Sequence, residues 1–216
     1  MNMMKNAIAL LGTIGICALA IGPANASAPQ AGTVMANLVQ NAPKPQSFTA
    51  STTMDLKQRS FPWTKVSLKG TLYFKAPDQL VVKFANMPGY MNGLPQAYAK
   101  VLNVGAWPQE YNATLGETQT FNGHTDYALN LTPKDGGSDR GVALVDPATW
   151  TVDQVKWDLS GGVQLTVSEN YTDVGSYRVP ARQNLSVHTP FATADGTATM
   201  NDYAVNVPIN EAVFRQ

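Results

Sequence analysis

The sequence predicts a mostly β fold of the α+β class, one curved antiparallel sheet covered by short helices, and three observations carry that expectation. Apolar and polar residues alternate with period two through most of the chain, between turn signals rich in Gly, Pro, Asn and Asp. Helical spacing is confined to two short stretches. The 24 residues from Phe84 to Trp107 carry one charge, Lys100, and interrupt the strand pattern.

The N-terminus comes first in the chain and bears on compartment. Met1 to Lys5 is a short basic start, Ala7 to Ile21 is apolar and uncharged, and Ala24-Asn25-Ala26 offers the small-x-small pattern of a signal-peptidase site. Residues 1–26 are therefore expected to be a cleaved signal peptide, with residues 27–216 forming a single domain in the periplasm. Cys17 has Ile16 before it, where a lipoprotein site wants a small residue, so acylation there is not expected. Cleavage at Ser27 leaves no cysteine, which excludes disulfides, thiol catalysis and cysteine-ligated metals. Loss of Lys5 takes the formal charge from zero to −1. With no basic patch, a nucleic-acid partner is not expected.

Thr33 is positioned to cap a short helix in which Val34 pairs with Leu38 and Met35 with Val39, and Pro43 and Pro45 stop it. Phe48, Ala50, Thr52, Met54 and Leu56 then alternate with polar residues as a strand. Val66, Leu68, Gly70, Leu72 and Phe74 mark the next, and Leu80, Val82 and Phe84 a third. After Trp107, the Asn122-Gly123 turn leads to Tyr127, Leu129 and Leu131 on one face. Gly141 to Val145 is apolar on both sides and is expected to sit centrally. Val155, Trp157 and Leu159 pair with Val163, Leu165 and Val167 across Ser160 to Gly162 as a hairpin. Leu185 and Val187, then Tyr203, Val205 and Val207 after Asp195-Gly196, complete about nine or ten strands.

Such a sheet has a face that needs a cover, and only the N-terminal helix and the Phe84–Trp107 segment are available for it. That segment cannot span a bilayer, because Pro88, Gly89, Gly93 and Pro95 break it. Leu94, Tyr98 and Leu102 recur at i,i+4 spacing, compatible with a helix that has Pro95 in its first turn. Phe84, Met87, Tyr90, Met91, Leu94, Tyr98, Leu102 and Trp107 are too apolar for an ordinary surface loop. They read either as a binding lid or as side chains that complete the core.

Catalytic and metal constellations are weak. His124 and Asp126 share a strand face by alternation, and with Ser138 or Ser186 they would make a triad. No serine sits in a strained nucleophile turn, so an exposed turn histidine is favoured. Asp135, Ser138 and Asp139 lack the spacing of a calcium loop. Glu110, Glu117 and Glu169 are read on separate strands, unpaired for acid–base work. No enzymatic activity, cofactor or metal is expected.

Four stretches in order carry a family resemblance: Gly70-Thr-Leu-Tyr-Phe-Lys-Ala-Pro-Asp78, Phe121 to Lys134, Val145 to Val155, and Tyr203 to Phe214. Together they resemble the periplasmic outer-membrane lipoprotein-sorting carriers, the LolA/LolB-like superfamily, over roughly Thr33 to Phe214. The resemblance implies a half-barrel whose apolar inner face shelters acyl chains. Leu72, Phe74, Leu80 and Val82 would line that face, and Met87 to Trp107 would correspond to the lid. Ala76 stands where those carriers have an arginine latch, and their Asp-Gly-x-x-x-Trp-x-Tyr strand is replaced by the apolar segment. The expected function is a monomeric carrier for a lipid or acylated lipoprotein, with transient contacts to inner- or outer-membrane envelope proteins. The alternative is a structural or interaction module of the envelope whose core is filled by its own side chains. A hydrolase using His124 ranks third.

Overall fold

The computed structural model describes residues 29–59, 63–85 and 87–215. The expected signal peptide, its cleavage point at Ser27 and Cys17 lie outside the described residues, as does the side chain of Tyr90. The order of elements is α1 (Ala31–Gln40), β1 (Ser47–Gln58), β2 (Lys65–Lys75), β3 (Gln79–Ala85), α2 (Leu94–Leu102), α3 (Trp107–Glu110), β4 (Tyr111–Leu115), β5 (Gln119–Phe121), β6 (His124–Pro133), β7 (Arg140–Asp146), β8 (Thr151–Leu159), β9 (Val163–Val174), β10 (Tyr177–His188) and β11 (Thr193–Val205). Short 3₁₀ turns at Gly89–Met91 and Val104–Ala106 flank α2.

The strands form one antiparallel sheet in the order β3-β2-β1-β11-β10-β9-β8-β7-β6-β4, with β5 beside β6. It does not close: β3 and β4 are its edges. The alternation read from sequence sets the register. Phe48 faces Phe74, Ala50 faces Leu72, Met54 faces Leu68 and Leu56 faces Val66 across β1 and β2. The Ser160–Gly162 turn places Leu159 opposite Val163, Trp157 opposite Leu165 and Val155 opposite Val167. β7 is an interior strand, paired on both sides with β6 and β8 as its apolar sequence requires, but it lies third from the β4 edge rather than centrally as expected. Irregular pairing in β11 beside Thr49 and Ser51, in β8 beside Leu144 and Val145, and in β10 between Pro180 and Arg182 bends the sheet.

Inner-face side chains, among them Met54, Leu68, Leu129, Val155 and Val167, form one core with Val34, Met35 and Leu38 of α1 and Tyr98 and Val101 of α2. The two helical pieces are thus the cover. An aromatic group ties the covering segment to the sheet. The Trp107 ring stands edge-on to Trp157 at 6.3 Å, and Tyr111 lies 5.1 Å from Trp157. Trp157 sits directly over Gly141, its partner on β7.

Several expectations are corrected. Helix α1 begins three residues early, with Gln30 at its cap, and Thr33 lies within its first turn. Asp195-Gly196 does not turn the chain: it runs inside β11, where pairing with β1 on one side and β10 on the other overrides the local signal. Val207 falls beyond that strand, and β4 and β5 add two short strands whose polar residues hide the alternation. Of the three glutamates read as strand residues, only Glu169 is in a strand. Glu110 ends α3, and Glu117 lies in the loop after β4.

A Cβ on Gly141 would come within 2.7–2.9 Å of the Trp157 ring. Gly141→Ala is expected to destabilise the fold by roughly 1–3 kcal/mol through overpacking. Urea denaturation of the variant against the parent checks it.

Candidate functional site

Where α1 ends and α2 crosses the sheet, the cover does not fill the hollow. A cavity of about 130 Å³ remains between them and the inner face. Leu38 and Ala42 bound it from the N-terminal side, Tyr98, Leu102 and Val104 from the lid, and Phe48, Leu72, Phe74, Leu80 and Val152 from the sheet. The walls are largely apolar. An engineered cavity of ~150 Å³ takes up benzene, so this volume suits the end of an apolar chain rather than its whole length.

One end of the cavity is polar. Glu169 on β9 and Gln183 on β10 pair in register, and both side chains are buried. The Tyr98 hydroxyl donates to Gln183 Oε1, which anchors α2 to the cavity floor. Burial pushes the Glu169 carboxyl up to about 7, against the opposing pull of Tyr171 and Gln183. Beside them, the Arg178 guanidinium lies 5.7 Å from the Tyr171 ring centre, and its buried Nε has no hydrogen-bond partner among the described residues. Lys44 also lines the cavity, and burial lowers its pKa. The site therefore combines apolar walls with donors and a buried carboxyl, the arrangement suited to an amphiphile.

The covering segment is held against the turn between β2 and β3. Gly105, buried in the 3₁₀ turn after α2, presses on the Pro77 carbonyl so closely that a Cβ there would lie 1.8 Å from its oxygen. The neighbouring Asn103 side-chain amide donates to the Asp78 carbonyl. The turn between β2 and β3 thus meets the covering segment through Gly105 and Asn103.

The twelve residues singled out from sequence divide into groups. Leu72, Phe74, Leu80, Tyr98 and Leu102 line the cavity. Val82 is buried in the core without lining it, and Phe84, Met87, Met91 and Leu94 pack against the core from outside the cavity. Trp107 is fully buried in the aromatic group with Trp157, so it fixes the root of the lid. Tyr90 cannot be placed among them because its side chain lies outside the described residues.

Sequence reasoning passed over Glu169, Tyr171, Arg178, Pro180 and Gln183. The signal was the alternation itself: Val163, Leu165 and Val167 continue with period two to Glu169 and Tyr171, and Leu185 runs back to Gln183. Arg178 and Pro180 were hidden by the bulge at Ala181, which shifts the phase of β10 and brings even-numbered residues to the cavity.

The triad constellation does not assemble. His124 Nε2 is 3.1 Å from Asp126 Oδ1, as their shared face predicts, and 2.6 Å from Asp153 Oδ2. Ser138 follows the far end of β6, about 30 Å of strand away, and Ser186 lies four strands across the sheet at about 4.8 Å per strand. Asp135 and Asp139 accept hydrogen bonds from the backbone N–H groups of Gly137 and Ser160, so they tie down their loop.

No protein-family model matches the sequence. No curated protein matches it either. Solved structures do match. A DUF1329 family protein from Desulfovibrio piger superposes with a TM-score of 0.64 at 13% identity, over 86% of this chain and 95% of that one. A LolA superfamily protein from Nitrosomonas europaea gives 0.62 at 12% identity, over 88% and 99%. An outer membrane lipoprotein-sorting protein domain from Vibrio parahaemolyticus gives 0.61 at 14% identity, over 85% and 95%. The chain therefore has a LolA-like fold, the curved half-barrel that the resemblance in sequence implies.

Two outcomes follow from this geometry. Gly105→Ala is expected to lift the lid from Pro77, raising the fluorescence of a hydrophobic dye and speeding amide exchange in α2 while the sheet stays protected. The second concerns pH. Glu169 has a folded-state pKa raised from 4.5 to about 7, so the folded form holds its proton more tightly than the unfolded chain does. Its stabilising effect is present below pH 4.5 and lost as the pH rises through about 7. Between those limits the parent should lose on the order of 3 kcal/mol relative to Glu169→Gln. Denaturant titrations of both proteins at pH 4.5 and pH 8 measure it.

Proposed function

We propose that the protein is a periplasmic carrier that takes the end of a lipid or lipoprotein acyl chain into the cavity beneath α2. The observation that carries this reading is the incompletely filled hollow, about 130 Å³, with apolar walls and a hydrogen-bonding end. A fold shared with a LolA superfamily protein and an outer membrane lipoprotein-sorting domain supports the same class of ligand. Apolar walls hold methylenes, while Arg178 Nε and the Glu169–Gln183 pair offer partners to an ester or headgroup.

The volume sets the strength of the interaction. About six methylenes at ~0.8 kcal/mol each represent a gross gain on the order of 5 kcal/mol from water, and almost nothing from a bilayer. Capture from a membrane or another carrier is then close to neutral, and the lid decides when the ligand is held. A longer chain requires α2 to move outward, against the Tyr98–Gln183 hydrogen bond and the Gly105 contact.

Leu80 and Leu102 line the cavity but are only partly buried, so a larger side chain at either position fills the hollow without overpacking the deep core. Leu80→Trp and Leu102→Trp are expected to weaken binding of a fluorescent fatty acid at least tenfold, with melting temperatures close to the parent's. Native mass spectrometry of the protein purified from its own envelope should show a bound lipid or acylated peptide. Clean protein that also ignores added lipid would favour the structural module, with the cavity as a packing defect.

A further inference from the structure

A second constellation lies on β6, β7 and β8, apart from the lid. His124 and Asp126 occupy the face of β6 opposite to its core residues Leu129 and Leu131. Asp146 ends β7, where its carboxylate accepts from Ala148 N–H at 2.8 Å and Thr149 Oγ1 at 2.7 Å. Asp153 is the extra residue of a bulge in β8. Leu144 pairs with Gln154 and Val145 with Val152, which leaves Asp153 unpaired and turned toward His124. Ligand atoms of His124, Asp126 and Asp146 all lie within 4.8 Å of one another, and Asp153 Oδ2 touches the same imidazole nitrogen at 2.6 Å.

Asp126 is what sets this cluster apart from an ordinary surface group of acids. Its side chain is completely buried, and neither carboxylate oxygen has a hydrogen-bond partner among the described residues. An ionised carboxylate left so is costly unless a positive charge or a proton compensates it. His124, half-exposed, supplies one charge at most, shared among three carboxylates. The separation of His124 Nε2 and Asp126 Oδ1, 3.1 Å, is close to the edge of about 3.3 Å in a tetrahedron with bonds of ~2.0–2.1 Å. The 2.6 Å contact to Asp153 is a hydrogen bond that a cation at the centre would replace.

We propose that His124, Asp126, Asp146 and Asp153 form a binding site for a divalent first-row transition cation of the zinc or manganese type. One imidazole with several carboxylates suits those ions, whereas calcium and magnesium favour all-oxygen shells. A 2+ ion would neutralise most of the buried negative charge and join three adjacent strands at the point where the β8 bulge interrupts their pairing. The half-exposed His124 leaves a route from solvent. The site is independent of the carrier reading, since none of its four residues lines the cavity.

The test is calorimetric titration of ZnCl₂ and, separately, MnCl₂ into purified protein freed of metal with a chelator. One equivalent should bind with a dissociation constant in the micromolar range or below, raising the melting temperature. Asp126→Asn and His124→Ala should each weaken binding at least tenfold. Because the chain has only two histidines, NMR of the unmodified protein supplies a readout that no variant's folding can confuse. The His124 ring signals should shift with one equivalent of zinc, while those of His188, bonded to Thr193, stay in place. Absence of stoichiometric binding at millimolar metal, equal shifts at both histidines, or unchanged affinity in both variants would overturn the proposal.

Discussion

An open sheet with an apolar concave face cannot bury that face alone, and the cavity of this chain follows from how little helix, among the described residues, is available to cover it. Ten residues in α1, nine in α2 and four in α3 stand against eleven strands. Over most of the face the sheet's own large side chains make up the difference, and the aromatic group of Trp107, Tyr111 and Trp157 fills one end. Between the end of α1 and α2 they do not, and the cavity is the remainder.

The cover is held by few attachments, and they differ in kind. Trp107 locks the root of the lid into the core by burial, a contact that is lost only if the core opens. Tyr98 joins α2 to Gln183 through a single hydrogen bond at the cavity floor, and Gly105 with Asn103 meets the β2–β3 turn through backbone contact. The last two border the cavity and contribute modestly. Between these points, Tyr98 and Val101 of α2 pack into the core itself. The polar end of the cavity connects to the same contact: the glutamine that accepts from Tyr98 also lies against Glu169, so the α2 anchor and the polar end share a residue.

Most of the sheet was legible because period-two alternation carries both strand and face. Phe48 to Leu56, Val66 to Phe74 and the Val155–Val167 hairpin have the registers that their apolar residues demand. The failures are equally physical. The Asp195-Gly196 signal is local, and pairing on both flanks outweighs it. Short strands such as β4 and β5 carry too few residues for a pattern to emerge. In the cavity, reading inward faces by their apolar residues found Leu72, Phe74, Leu80, Tyr98 and Leu102. It passed over Glu169 and Gln183, because a polar residue on an inner face looks like the end of the pattern.

By itself the sequence determined the class of fold, the faces of the long strands, the need for a cover and the segment that supplies it, because these depend on residue type at fixed spacing along one chain. Tertiary structure alone decided where the cover falls short. It set which carboxyl and amide meet beneath α2, and how Gly105 meets the Pro77 carbonyl. It also gathered Asp146 and Asp153 around His124 and Asp126. Those outcomes depend on strand order and on single-residue bulges at Ala181 and Asp153, which shift the phase of a strand without leaving a mark in its alternation.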